Sequence, residues 1–148
     1  MKRWKWSNVP IPEAYLVGLV IGTILHLLFS IHLFPWAWTG HVMGWPLIIF
    51  GIGLCTWCVI EAQEMNIANP NILLTSGPYA LSRNPMYVGW ALIYSGISLV
   101  INSVWLLSLL PVVIVYLHFV DIQKEEQLLI DLFGDVYRQY RRRVRRYF

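Results

Sequence analysis

The sequence predicts an all-α integral membrane protein in a single domain: about four transmembrane helices, then a C-terminal cytoplasmic amphipathic helix. Three observations carry this. The 148 residues are 57% hydrophobic and only 13% charged, where soluble domains carry about 25% charged residues. A globule this small has too little polar surface to cover so much apolar side chain. Long stretches carry no charge at all, and the basic residues avoid the short connections between them. Two cysteines are too few for a disulfide-stapled secreted scaffold, and the composition excludes a disordered chain.

Span one is placed at 14–34, uncharged from Ala14 to Phe34 and as long as the roughly 20 residues a bilayer core requires. Span two is placed at 42–62, with Pro46 in its first turn, where a missing N–H does no harm. Nothing between Asn84 and Val120 carries a charge. As one helix that stretch would reach about 55 Å at 1.5 Å per residue, nearly twice the hydrocarbon thickness, so it must fold back. Asn102-Ser103 is the only polar pair near its middle, which sets spans three and four at 86–101 and 104–120.

Orientation follows from Lys and Arg. Lys2, Arg3 and Lys5 precede span one, and Arg83 lies between spans two and three. Lys124, Arg138, Arg141, Arg142, Arg143, Arg145 and Arg146 follow span four. All eleven basic residues fall on one side, which predicts cytoplasmic N- and C-termini. A plain plasma-membrane location suits a chain with no other sorting signal. A cleaved signal peptide fits poorly, because the apolar region is long and Pro10 and Pro12 separate it from the basic residues. Trp4, Trp6, Trp36, Trp38 and Trp45 fall at expected interfaces. In the tail, Phe133, Tyr137, Tyr140, Val144 and Phe148 line one helix face while arginines take the others, and Gly134-Asp135 reads as a helix end and the next N-cap. Such a basic amphipathic helix reads as an anchor on anionic lipid. Arginines beside a bilayer are expected anyway and give nucleic-acid binding no support.

Two segments, 71–89 and 121–145, are candidates for chemistry. They place Arg83, Asn84, several tyrosines and the Glu125-Glu126 pair at one membrane face. Ser76-Gly77-Pro78 and Asn84-Pro85 force an irregular backbone just outside the lipid, tolerated only where protein or a cavity covers it. Each residue alone also has a plainer reading. Arg83 can mark the membrane boundary, the glutamate pair can be a solvated helix face, and Tyr87, Trp90 and Tyr94 can be interface or core aromatics. Cys55 and Cys58 read as small packing residues within an apolar span. Gly18 and Gly22 permit a close helix contact, either a dimer seam or internal packing. The four histidines show no ligand spacing, so no metal site is inferred. His118, about two turns before Glu125, can face the pocket.

Gly77-x-Tyr79, then Arg83-Asn84-Pro85-x-Tyr87-x-Gly89, then Glu125-Glu126 followed by Phe133-Gly134-x-x-Tyr137-x-x-Tyr140 resemble the isoprenylcysteine carboxyl methyltransferase and phospholipid methyltransferase superfamily of integral membrane enzymes. The resemblance covers residues 71–145, and it implies S-adenosylmethionine as cofactor. Carried over, it gives backbone contacts to Asn71, Ile72, Leu73 and Leu74. It makes Tyr79, Asn84, Pro85, Met86 and Tyr87 the wall around the cofactor, and Glu125 the acceptor for ribose hydroxyls. Glu64 is a further cofactor-site candidate, and Arg83 and Glu126 are the candidate catalytic residues. A carboxylate suits a diol, and aromatic faces suit a sulfonium cation.

Two positions depart from the prenylcysteine enzymes, which usually have His where Asn84 stands and Arg where Asp121 stands. An acidic group repels a carboxylate and tolerates an amine or other cationic head group better. The implied partner is therefore a lipophilic methyl acceptor, isoprenylcysteine-like or a lipid amine, with anionic lipid at the arginine tail. Two other readings stand beside this one. Membrane sterol and isoprenoid reductases carry similar Arg-x-Pro-x-Tyr-x-Gly blocks and bind NADPH, and a non-catalytic helical protein can use the same residues to fix a hairpin. Oligomeric state and the identity of the acceptor stay open.

Overall fold

In the computed structural model, residues 12–62 and 71–147 are described, and every regular element among them is helical apart from one isolated bridge between His32 and Ser103. Helix α1 covers Glu13–Leu28 and α2 covers Ala37–Glu61. A 3-10 turn at Gly77–Ala80 leads into α3, Pro85–Val100. Helix α4, Val104–Tyr116, passes through a π-helical turn at Leu117–Asp121 into α5, Ile122–Phe133, and α6 covers Asp135–Arg143. Helix α2 and the continuous helix Val104–Phe133 are long and apolar enough to cross a bilayer, with mean hydropathies of 1.9 and 2.0. Helices α1 and α3 are apolar but, at 16 residues each, reach only about 24 Å.

The fold-back falls at Asn102-Ser103, as the length argument requires. Asn102 adopts φ +58°, the left-handed conformation that Asn tolerates better than most residues. Its carboxamide accepts from the Phe34 N–H at 2.8 Å and donates to the Phe34 carbonyl at 2.9 Å. Ser103 caps α4 by accepting from the Leu106 N–H at 3.3 Å. These bonds explain why α1 ends at Leu28 and not at residue 34. The chain from Phe29 to Pro35 is diverted to pair with the turn, through Val104 N–H to the Ile31 carbonyl and the Trp105 indole N–H to the Phe29 carbonyl, and Pro35 disfavours helix at the residue before it.

Helix α2 starts five residues before the expected 42, so Pro46 lies inside it and not in its first turn. Interior prolines survive in membrane helices because neighbouring groups satisfy the freed backbone. Gly134 (φ +53°) both ends α5 and caps α6, making Asp135 the first helical residue and not the cap. Helix α6 also ends at Arg143, where the expected amphipathic face ran on to residue 148.

Glycines set the helix spacing. A Cβ on Gly44 would come within 2.6 Å of the Gly96 carbonyl, and one on Gly96 equally close to the Gly44 carbonyl, so α2 and α3 touch backbone to backbone. Cys55 packs on Gly89 in the same seam, and Cys58 is fully buried. On the other side of the bundle, a Cβ on Gly18 would meet Val113 at 2.7 Å and one on Gly22 would meet Leu106 at 2.8 Å. The Gly18/Gly22 pair is therefore internal packing of α1 on α4. Tyr15, Tyr94, Leu106, Leu110, Val113 and Leu117 fill the core between α1, α3 and α4.

Candidate active site

At the end of the bundle opposite the Asn102 turn, α1, the 71–87 segment, α4–α5 and α6 surround a cavity of about 920 Å³. That is within the range of roughly 300–1,000 Å³ usual for small-molecule sites. Of the residues singled out from the sequence, Ile72, Leu73, Leu74, Tyr79, Arg83, Asn84, Pro85, Met86, Tyr87, Glu125 and Glu126 all line it. Asn71 is exposed and does not line it, and Glu64 lies outside the described residues.

Local sequence explains how these residues are held. Pro85 opens α3 where no N–H is needed. This fixes Asn84 outside the helix, with its N–H donating to the Ser82 hydroxyl at 3.2 Å. Gly77 sits at φ +57°, and a Cβ there would meet the Glu61 carboxylate at 2.9 Å. The Ser76 hydroxyl donates to that same carboxylate, which fastens the loop to the end of α2. The Tyr140 hydroxyl donates to the Tyr79 carbonyl at 2.6 Å and docks α6 on the loop. The π-helical turn at 117–121 adds a residue to one turn of the helix carrying the glutamates, a device frequent at functional sites.

The two glutamates have different surroundings. Glu126 is 6% exposed and takes Arg83 at 2.9 Å on one oxygen. It also accepts two hydrogen bonds from Arg146, at 3.0 and 2.8 Å. The Arg83 contact is close but poorly aligned for a hydrogen bond, and Arg83 Nε has no hydrogen-bond partner among the described residues. Glu125 opens onto the cavity and accepts from the Tyr87 hydroxyl at 2.6 Å. Its carboxyl is held above the ordinary range first by the enclosing protein and also by the Asp121 charge, with the Tyr87 bond opposing both. Tyr79 is raised mainly by burial and further by neighbouring acidic groups. Tyr140 is pushed up to about 12, again by burial first. Both phenols therefore remain neutral hydrogen-bond donors at physiological pH.

Several lining residues had no signal in the sequence reading. Glu13, Val17, Gly18 and Ile21 come from α1, and Leu109, Val112 and Val113 from α4. Only hydropathy marks that part of the chain, although the Gly18/Gly22 spacing identifies the face of α1 that turns inward. Tyr137 and Tyr140 also line the cavity and are buried. Two members of the aromatic face of α6, Tyr137 and Tyr140, thus pack on the protein and are not free to insert in lipid. His118 does not line the cavity; its ring lies 2.9 Å from Arg146 and 2.9 Å from the Tyr147 hydroxyl.

Apolar helices around a cavity of ligand size with a charged end define a helical membrane protein with room for a small molecule. The chain belongs to the phospholipid methyltransferase family, a family of membrane methyltransferases, whose model matches residues 39–136. It is also similar to a protein-S-isoprenylcysteine O-methyltransferase of Schizosaccharomyces pombe, 34% identical over 85 residues, which is 57% of this chain and 35% of that protein. The match thus spans about a third of the curated relative's length.

Proposed function

We propose that this protein transfers a methyl group from S-adenosylmethionine to a lipophilic acceptor at the cytoplasmic membrane face. The observation that carries the reading is convergence: segments 72–87 and 125–126, far apart in sequence, line one cavity. The residues suit the cofactor. Glu125 offers a cavity-facing carboxylate for a ribose diol. Tyr79 and Tyr87 offer aromatic faces for a cation. Arg83 retains a donor without a protein partner among the described residues. S-adenosylmethionine supplies an electrophilic methyl group when bound. The protein's own contribution is to hold the two reactants in line and to exclude water, and Arg83 and Glu126 form the ion pair that shapes the polar end of the site.

The acceptor enters this reading through the apolar part of the wall, where Val17, Ile21, Leu109 and Val112 favour a hydrocarbon chain. Glu13, Asp121 and Glu125 also line the cavity, opposed by Lys124, while Arg83 is committed to Glu126. That balance favours an amine head group over a carboxylate. Arg83, Lys124 and the arginines of α6 gather at the cavity end, while segments 29–36 and 101–103 at the other end carry neither Lys nor Arg. This supports a cytoplasmic cavity and cytoplasmic termini, with the exposed arginines of α6 facing anionic lipid.

Calorimetry on the detergent-solubilised protein tests the reading, with S-adenosylmethionine and NADPH side by side. We expect S-adenosylmethionine to bind and Glu125→Ala to weaken it at least about tenfold, as loss of a charged hydrogen-bond acceptor should. A lipid amine should then be methylated in preference to a prenylcysteine carboxylate, a preference that Asp121→Asn reduces. Binding of NADPH alone would establish the reductase reading, and binding of neither would remove the enzymatic one.

A further inference from the structure

We propose that residues 144–147 form a strap that sets the polar end of the cavity, with Arg146 as a positioning residue for Arg83 and Asn84. After α6 ends at Arg143 the backbone becomes extended at Val144 (φ −114°, ψ 130°) and crosses the loop that carries Arg83. Three donors of that loop end on strap carbonyls. The Arg83 N–H donates to Arg145 at 2.9 Å, and the Ser82 hydroxyl and the Asn84 carboxamide donate to Arg146 at 3.0 and 3.4 Å. Ser82 is fully buried with the strap in place, so its hydroxyl relies on that carbonyl and not on water for its hydrogen bond.

The Arg146 side chain makes the second attachment. Its guanidinium grips both oxygens of Glu126 and donates to His118 Nε2 at 2.9 Å. A guanidinium can only donate. His118 Nε2 is therefore the acceptor, which leaves its Nδ1–H for the Tyr147 hydroxyl at 2.9 Å. Glu126 is in turn the partner of Arg83. Arg146 itself does not line the cavity, whereas Arg83, Asn84 and Glu126 do. Its influence on a ligand therefore passes through those three residues. Fixing them before a ligand arrives removes an ordering cost from binding, and by linkage a ligand that uses the ordered wall holds the strap closed.

The cofactor arm of the test rests on the function proposed above; the exchange arm does not. Amide hydrogen exchange of the Ser82–Asn84 segment and calorimetry with S-adenosylmethionine are measured on the full chain in detergent. The variants are Arg146→Gln and Arg146→Lys, alone and combined with Glu126→Gln. Arg146→Gln should raise exchange in that segment, and not across α2 and α3, and weaken cofactor binding about tenfold, within the coupling usual for contacting residues. Arg146→Lys, which keeps charge but not the two-pronged grip, should recover only part of the loss. In the Glu126→Gln background the further effect of Arg146→Gln should shrink to near nothing. Unchanged exchange, or an equal loss of affinity with and without Glu126, overturns the proposal. If Glu126→Gln does not fold, the two single variants decide: identical behaviour of Arg146→Lys and the unmodified protein overturns it. A protein whose exchange responds as expected but which binds no S-adenosylmethionine sustains the strap and refutes the proposed function.

Discussion

The two ends of the bundle solve the same problem with different chemistry. At one end α3 turns into α4, and the polar backbone of the turn is satisfied by neutral groups: the Asn102 carboxamide takes both the N–H and the carbonyl of Phe34. At the other end the loop before α3 is held by charge, with Arg83 and Arg146 converging on the buried Glu126. A neutral amide closes a turn without bringing a charge out of water, and burying ions is costly unless each is well paired. Charge at the cavity end thus exceeds what closing the chain requires. The surplus is what a ligand site needs: a donor on Arg83 and an acceptor on Glu125, both at the wall of the same cavity.

The comparison is broken most forcefully at Glu126. Glu126→Ala leaves two guanidinium groups facing each other without their shared partner. Removing one member of a buried pair costs about 3–5 kcal/mol, so the midpoint of unfolding in mild detergent should fall markedly. A midpoint near that of the unmodified protein would mean that both arginines find solvent, and that the charged end is no more demanding than the neutral one.

What was readable beforehand follows the same division. The turn at Asn102 was legible because a stretch from 84 to 120 without charge is too long for one span and holds a single polar pair in its middle. The wall of the cavity was legible because Arg83-Asn84-Pro85 and Glu125-Glu126 belong to linked motifs with distinctive residue types. The apolar wall was not, since Val17 and Val112 differ in no way from residues that face lipid. Arg146 was hidden for another reason. It sits in a run of arginines set among Tyr137, Tyr140, Val144 and Phe148, whose spacing predicts one continuous helix, and nothing local reveals that the chain leaves helical geometry at Val144 and that this one side chain turns inward. Helix α2 starts earlier than expected because Pro46, which suits a first turn, here lies in the helix interior, where neighbouring helices cover the freed backbone.

The neutral end gives the intermediate effect. Asn102→Ala removes two hydrogen bonds to Phe34 and places a Cβ-bearing residue without a compensating side chain at φ +58°. Leaving buried backbone groups unpaired costs about 1–3 kcal/mol. Asn102→Gly should lie between this variant and the unmodified protein, because it relieves the backbone and still loses the bonds. Both should leave the affinity for S-adenosylmethionine per folded molecule unchanged, since the turn lies at the end away from the cavity. A loss of affinity in either would show that the two ends are coupled through α3 and α4.

The smallest effect distinguishes the two glutamates within the charged end. Glu125 has its folded-state pKa raised, chiefly by enclosure and also by Asp121. Its ionisation therefore costs the unligated fold stability as pH rises through that value, and the contribution is fully favourable only below the unfolded pKa. Cofactor binding should slope the other way. Ribose hydroxyls donate more strongly to the carboxylate than to the protonated acid, which keeps only its carbonyl oxygen as a good acceptor, so affinity should increase as pH rises through the raised pKa and then level off. Calorimetric titrations carried from the ordinary carboxyl range upward to neutrality should show this slope in the unmodified protein and a flat response in Glu125→Gln. An identical slope in both would assign the titration to another group and would leave Glu125 as a partner of Tyr87 alone.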